Sequence, residues 1–77
     1  MQAGFGKVHT SEQILVRSAR AKTGLLQQAF ADLIKTLVAT LRDWEQGRKE
    51  PDAAARAYLT VIARNPKAVS DALQPTP

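Results

Sequence analysis

Between Leu26 and Gln46 the chain reads LQQAFADLIKTLVATLRDWEQ, and Leu26, Phe30, Leu33, Leu37, Leu41 and Trp44 recur in steps of four, three, four, four and three. That period is helical and leaves no room for a strand. Two arrangements satisfy it. In one, a turn at Lys35-Thr36 divides the segment into two short helices. In the other, a single amphipathic helix runs from about Leu26 to Gln46, with Ile34 and Val38 widening its stripe. A lone helix of that length cannot fold back on itself. It would find its core in a partner chain, as an intertwined or domain-swapped dimer.

The flanking sequence is also helical. Thr10 with Gln13 three residues later has the pattern of a capping box. It predicts a first helix from about Ser11 to Lys22, with Ile14, Leu15 and Ala19 turned inward and Gly24 as its stop. Pro51-Asp52 opens another helix with Asp52 as N-cap, and Ala55, Tyr58, Leu59 and Ile62 follow at helical spacing. Asn65-Pro66 introduces a last short helix, since proline suits a first helical position. Val69 and Leu73 can fold that helix back onto the core. The expected class is all-α. One domain is expected over residues 10–73, between a flexible N-terminal arm at 1–9 and a flexible tail at 74–77.

Composition narrows the function. The chain has 77 residues, no cysteine and a single histidine, His9. That excludes a disulfide framework, a thiol nucleophile and a cysteine-based zinc site. His9 alone reads as a solvent residue. Neither a membrane-spanning run nor a signal-peptide h-region is present. The expectation is a cytoplasmic, non-enzymatic protein without cofactor or metal. The formal net charge is +4, and a basic small domain points to a polyanionic partner. The excess flanks the centre: Lys7, Arg17, Arg20 and Lys22 precede it, and Arg56, Arg64 and Lys67 follow it, while residues 25–50 are balanced.

The central spacing fits a helix-turn-helix. Counting from Gln27, Phe30 and Ile34 are fourth and eighth, the small Ala31 fifth, Thr36 tenth, Leu41 fifteenth and Trp44 eighteenth. A small fifth residue lets the second backbone approach, and the apolar positions form the shared core. Thr36 is placed to cap the second of the two helices with its hydroxyl, and Gly47 to end it. TGLLQQAFADLI followed by TLVATLRDWEQGRKEPDAAARAYLTVIARNP resembles the XRE-type (lambda-repressor-like) helix-turn-helix family. Within it the likeness is to HigA-like antitoxin and transcriptional regulators. It spans roughly Arg17 to Leu73. It implies a five-helix DNA-binding domain, dimeric on a palindromic operator, often that of its own toxin–antitoxin operon. It also implies a toxin partner, although only about ten residues precede helix one to hold it.

The chain departs from the family pattern at three places. Leu26 stands where a Ser or Thr caps the first of the two helices, Lys35 where the turn has glycine, and Leu37 where proline often opens the recognition helix. All three changes favour continuous helix. The lost cap costs ~1 kcal/mol. A left-handed lysine costs roughly 1 kcal/mol more than glycine.

The resemblance implies that Gln27 contacts the DNA backbone and Gln28 reaches a base. Among exposed candidates on the recognition helix, Arg42 has the chemistry for a bidentate guanine contact, and Asp43 can accept from cytosine N4. Val38 and Ala39 suit thymine methyls, and Thr40 lies on the same face. Arg48 and Lys49, just past the helix, suit phosphates, with Gln46 added by resemblance. The plainer readings stand beside these: Leu37 and Val38 as part of the core, Asp43 as a solvated residue, Arg48 and Lys49 as surface charge, Trp44 as core. In the family a glutamate at the place of Glu45 pairs with an arginine of the first helix, and Arg20 matches that place here. The implied ion pair would orient more than stabilise.

Overall fold

The computed structural model describes residues 11–73, which form five α-helices and no strand. These are α1 (Ser11–Thr23), α2 (Gln27–Ile34), α3 (Val38–Gln46), α4 (Ala53–Arg64) and α5 (Pro66–Leu73). The chain is an all-α helix-turn-helix domain. The proposed arm at 1–9, the tail at 74–77, His9 and the Thr10 cap lie outside the described residues.

The segment turns between α2 and α3. Lys35 takes the left-handed conformation, φ 63°, ψ 40°. The Lys35 and Thr36 N–H groups donate back to the carbonyls of Asp32 and Ala31, at 3.3 and 2.9 Å. This is the Schellman closure that glycine usually provides. Its strain and two missing side-chain caps cost about 1 kcal/mol each. Burial outweighs that sum. Phe30, Ile34 and Leu41 meet Val16, Ala19, Ala31, Leu59 and Ile62 in one core, and each large side chain gains roughly 1.5–3 kcal/mol on burial. A single long helix would have left the apolar faces of α1 and α4 uncovered within the chain.

Lys35 is exposed, so its replacement by glycine should remove little packing. Lys35→Gly should therefore stabilise the domain by about 0.5–1 kcal/mol, the relief of strain being partly offset by a freer unfolded chain. Urea denaturation measures it, and a lower midpoint would contradict the strain.

Several local expectations are corrected. Thr36 does not cap α3. The N-cap is Leu37, in extended conformation and without a side-chain cap bond, because the Schellman closure uses Thr36 as its last residue. Leu26 enters α2 in the same uncapped way. The two leucines are 79% and 75% exposed, so neither belongs to the core stripe. On α1 the inward face is Gln13, Val16 and Ala19, spaced three apart. Ile14 falls on the opposite side and is 57% exposed. Trp44 is half-buried against the core's edge.

The C-terminal half follows expectation. The Asp52 carboxylate accepts from the Ala55 N–H at 2.8 Å. Leu59 and Ile62 are buried. Pro66 opens α5, whose Val69 packs on the core. α1 packs chiefly on α4 and α3, so α3 rests on α1 with its other side free.

Candidate nucleic-acid interface

Glu45 is the pivot of the site. It follows Leu41 by four residues on the inward face of α3, so its carboxylate is carried into the protein and is 2% exposed. A carboxylate buried there needs a partner, and α1 supplies it. Arg20 Nε donates to Oε2 at 2.7 Å and Nη2 to Oε1 at 3.0 Å, a two-pronged pair. Its remaining nitrogen Nη1 donates to the Leu25 carbonyl at 3.3 Å. The hydrogen bond to Glu45, with its charge, raises the Arg20 pKa against an opposing effect of burial. The implied Arg20–Glu45 pair is present.

Two residues expected in other roles, Arg17 as flanking charge and Gln13 as half of a capping box, join this junction. Arg17 Nε and Nη2 donate to the main-chain carbonyl of Glu45 at 3.1 and 2.8 Å. The buried Gln13 donates to the same carbonyl from Nε2 at 3.3 Å. Carbonyls in the last turn of a helix lack intrahelical partners and carry the negative end of its dipole, so a guanidinium there satisfies both. A signal existed. Gln13, Arg17 and Arg20 are spaced four and three apart, a polar stripe beside the apolar one on α1. Sequence reasoning assigns such a stripe to solvent.

The network continues outward. Gln27 Nε2 donates to Glu45 Oε1 at 3.3 Å, and Arg42 Nε donates to Gln27 Oε1 at 3.4 Å. The Gln27 amide is thus oriented by what each end meets. The start of α2 lies beside the free side of α3, where Ala39, Arg42 and Gln46 are exposed at spacings of three and four. Val38, Thr40 and Asp43 flank that stripe, half-buried. Gln28 is exposed and donates to Asp32 at 3.0 Å.

The end of α3 gathers the other candidates. Gly47 is left-handed, φ 78°, and Arg48 N donates to the Asp43 carbonyl at 2.9 Å. The return of the chain brings Arg48 and Lys49 to the Asp43 carboxylate, at 2.9 and 3.8 Å. Arg48 also donates to the Gln46 side chain. Lys22 is elsewhere, its Nζ 3.4 Å from the Ala63 carbonyl at the end of α4. All ten candidate residues thus lie on α2, α3 or the residues that follow α3. Together they make an exposed to half-buried surface of one guanidinium, amides, small apolar groups, a carboxylate and a cationic rim, held by an ion pair whose carboxylate is buried.

The chain is similar to an antitoxin. It is 34% identical over 65 residues to the antitoxin HigA-2 of Vibrio cholerae serotype O1, a match that takes in 84% of this chain. The chain spans 62% of that protein's length. No protein-family model matches the chain, and no solved structure matches it. The likeness supports a HigA-like relationship. Among the described residues, no helix is long and apolar enough to cross a membrane.

Proposed function

We propose that the chain is a sequence-specific DNA-binding repressor of the XRE type that acts as a homodimer on a palindromic operator and regulates its own toxin–antitoxin operon. One observation carries this reading. The Arg20–Glu45 pair, its carboxylate buried, extends through Gln27 to Arg42 and so fixes the free face of α3 relative to α1 and α2. A helix whose exposed face is held this way is suited to the major groove. Arg42 reads a guanine, with Val38 and Ala39 against thymine methyls. Gln27, Gln46, Arg48 and Lys49 meet the backbone, while Gln28, Thr40 and Asp43 complete the contact. Leu37, exposed just ahead of α3, adds apolar surface at the end of the helix that enters a groove first.

A gel shift on the gene's own upstream region, repeated across salt concentrations, tests the proposal. A specific complex should weaken steeply with salt, since phosphate contacts release counterions. Half-sites about one helical turn apart would match a two-fold dimer. The absence of a salt-sensitive specific complex would end the reading. Arg42→Ala should weaken operator binding roughly tenfold and relax preference at one base pair, with random DNA little affected. An equal loss on random and operator DNA would make Arg42 a phosphate contact.

A second reading rests on the named relative. The chain, as an antitoxin, binds and neutralises a toxin protein. Co-purification with the product of a neighbouring small gene tests it, and a chain that emerges alone when the two are expressed together speaks against it.

A further inference from the structure

Asp43 presents a problem for the operator-binding reading. A carboxylate on the face offered to DNA repels phosphate, yet this one is held among the cations meant for phosphate. Arg48 Nε and Nη2 both lie 2.9 Å from Asp43 Oδ1, and Lys49 Nζ lies 3.8 Å from Oδ2. The guanidinium thus meets an anionic oxygen as it would meet a phosphate. The cations are 59% and 71% exposed and the carboxylate 22%, so the pair is reachable and weak enough to exchange.

We infer that Asp43 is a specificity-determining residue that occupies Arg48 and Lys49 as an internal phosphate mimic, so that non-specific DNA must displace it. On random DNA the released carboxylate faces phosphates and meets a cytosine amino donor only by chance, so the exchange goes largely unrewarded. On a site that places a cytosine N4 amino group beside it, the freed carboxylate accepts a hydrogen bond. One side chain then weakens binding to random sequence and favours the correct one. The inference rests on the operator-binding reading for its second half only, because competition for the cations acts on any duplex.

The test compares Asp43→Asn with Glu50→Gln by fluorescence anisotropy on a random duplex and on the upstream region, at several salt concentrations. Glu50 is exposed, one residue beyond Lys49, and makes no ion pair among the described residues. Both substitutions raise the net charge from +4 by one. Asp43→Asn should tighten random-duplex binding about fivefold and steepen the slope of log affinity against log salt by about 1–2. Glu50→Gln should change it less. The ratio of upstream to random affinity should fall for Asp43→Asn alone. The Arg48 Nε–H resonance should shift on Asp43→Asn in the free protein, and in the parent on adding random duplex.

Equal gains for the two variants would reduce Asp43 to ordinary repulsion and overturn the inference. So would unchanged or weaker random-duplex binding by Asp43→Asn, or no binding to random duplex by either protein. Asp43→Ala, which removes the acceptor altogether, should match Asp43→Asn, and a parent-like result for it overturns the inference as well. If the parent forms no specific complex on the upstream region but Asp43→Asn still exceeds Glu50→Gln on random DNA, the operator reading fails and the competition stands.

Discussion

Arg20→Ala should remove about 3–5 kcal/mol of stability, because it leaves the Glu45 carboxylate buried with its main partner gone. Small domains hold about 5–15 kcal/mol in all, so a loss of this size removes a large fraction of the total. The loss comes from the stranded charge more than from the pair itself. Arg20→Ala combined with Glu45→Ala should therefore be more stable than Arg20→Ala alone. Urea denaturation of parent, single and double variants measures both effects. An Arg20→Ala midpoint equal to the parent's would show that the pair stabilises nothing, and an unchanged DNA affinity as well would show that it orients nothing. The sign of the Arg20 shift adds a constraint. Its pKa is raised in the fold, so its contribution is complete below the ordinary arginine range and lost only as pH rises beyond it. The titration of Arg20 itself therefore adds no pH dependence between about pH 6 and 9. The variant should also bind DNA poorly under conditions where it stays folded, since Glu45, on which Gln27 and through it Arg42 are oriented, loses its anchor.

Gly47→Ala should cost about 2–3 kcal/mol, and Gly24→Ala only about 1–2. Both glycines are left-handed, with φ of 78° and 74°, so the backbone strain is common to them. Their surroundings differ. A Cβ on Gly24 would meet nothing within 4 Å, whereas one on Gly47 would lie 2.9 Å from Gln13 Nε2 and 3.0 Å from its Cδ. Gln13 is buried and donates to the Glu45 carbonyl, so it cannot move aside without surrendering that bond. The difference between the two variants isolates the contact. Equal destabilisation of the two would place the whole effect in the backbone. The consequence for function follows from position: Gly47 ends α3 and turns Arg48 and Lys49 back to Asp43.

Most of the architecture was legible in the chain. The helical period of the central segment, Asp52 as a cap and the stops at Gly24 and Gly47 each rest on local rules, and the structure follows them. The Arg20–Glu45 pair was legible only through family resemblance. Nothing in the spacing of two residues 25 positions apart shows that one is buried. Arg17 and Gln13 were missed for a related reason. Their role exists only once the last turn of α3 lies against α1; until then Arg17 reads as surface charge and Gln13 as a capping residue. Ile14 was misplaced because an apolar residue at the border of a helix face can fall on either side. The neighbouring helices decide which, and α3 and α4 chose the face of Val16 and Ala19.

The turn marks the division between the two levels. By itself the sequence determined that Leu26–Gln46 is helical, which residues are apolar, and that Lys35 and an uncapped Leu26 would be costly in a turn. It could not choose between a bent and a continuous helix, because both satisfy the same period. Tertiary structure chose. Burying Phe30, Ile34 and Leu41 with α1 and α4 in one core outweighs about 3 kcal/mol of local penalties. That balance depends on surfaces from both ends of the chain, which no local pattern contains.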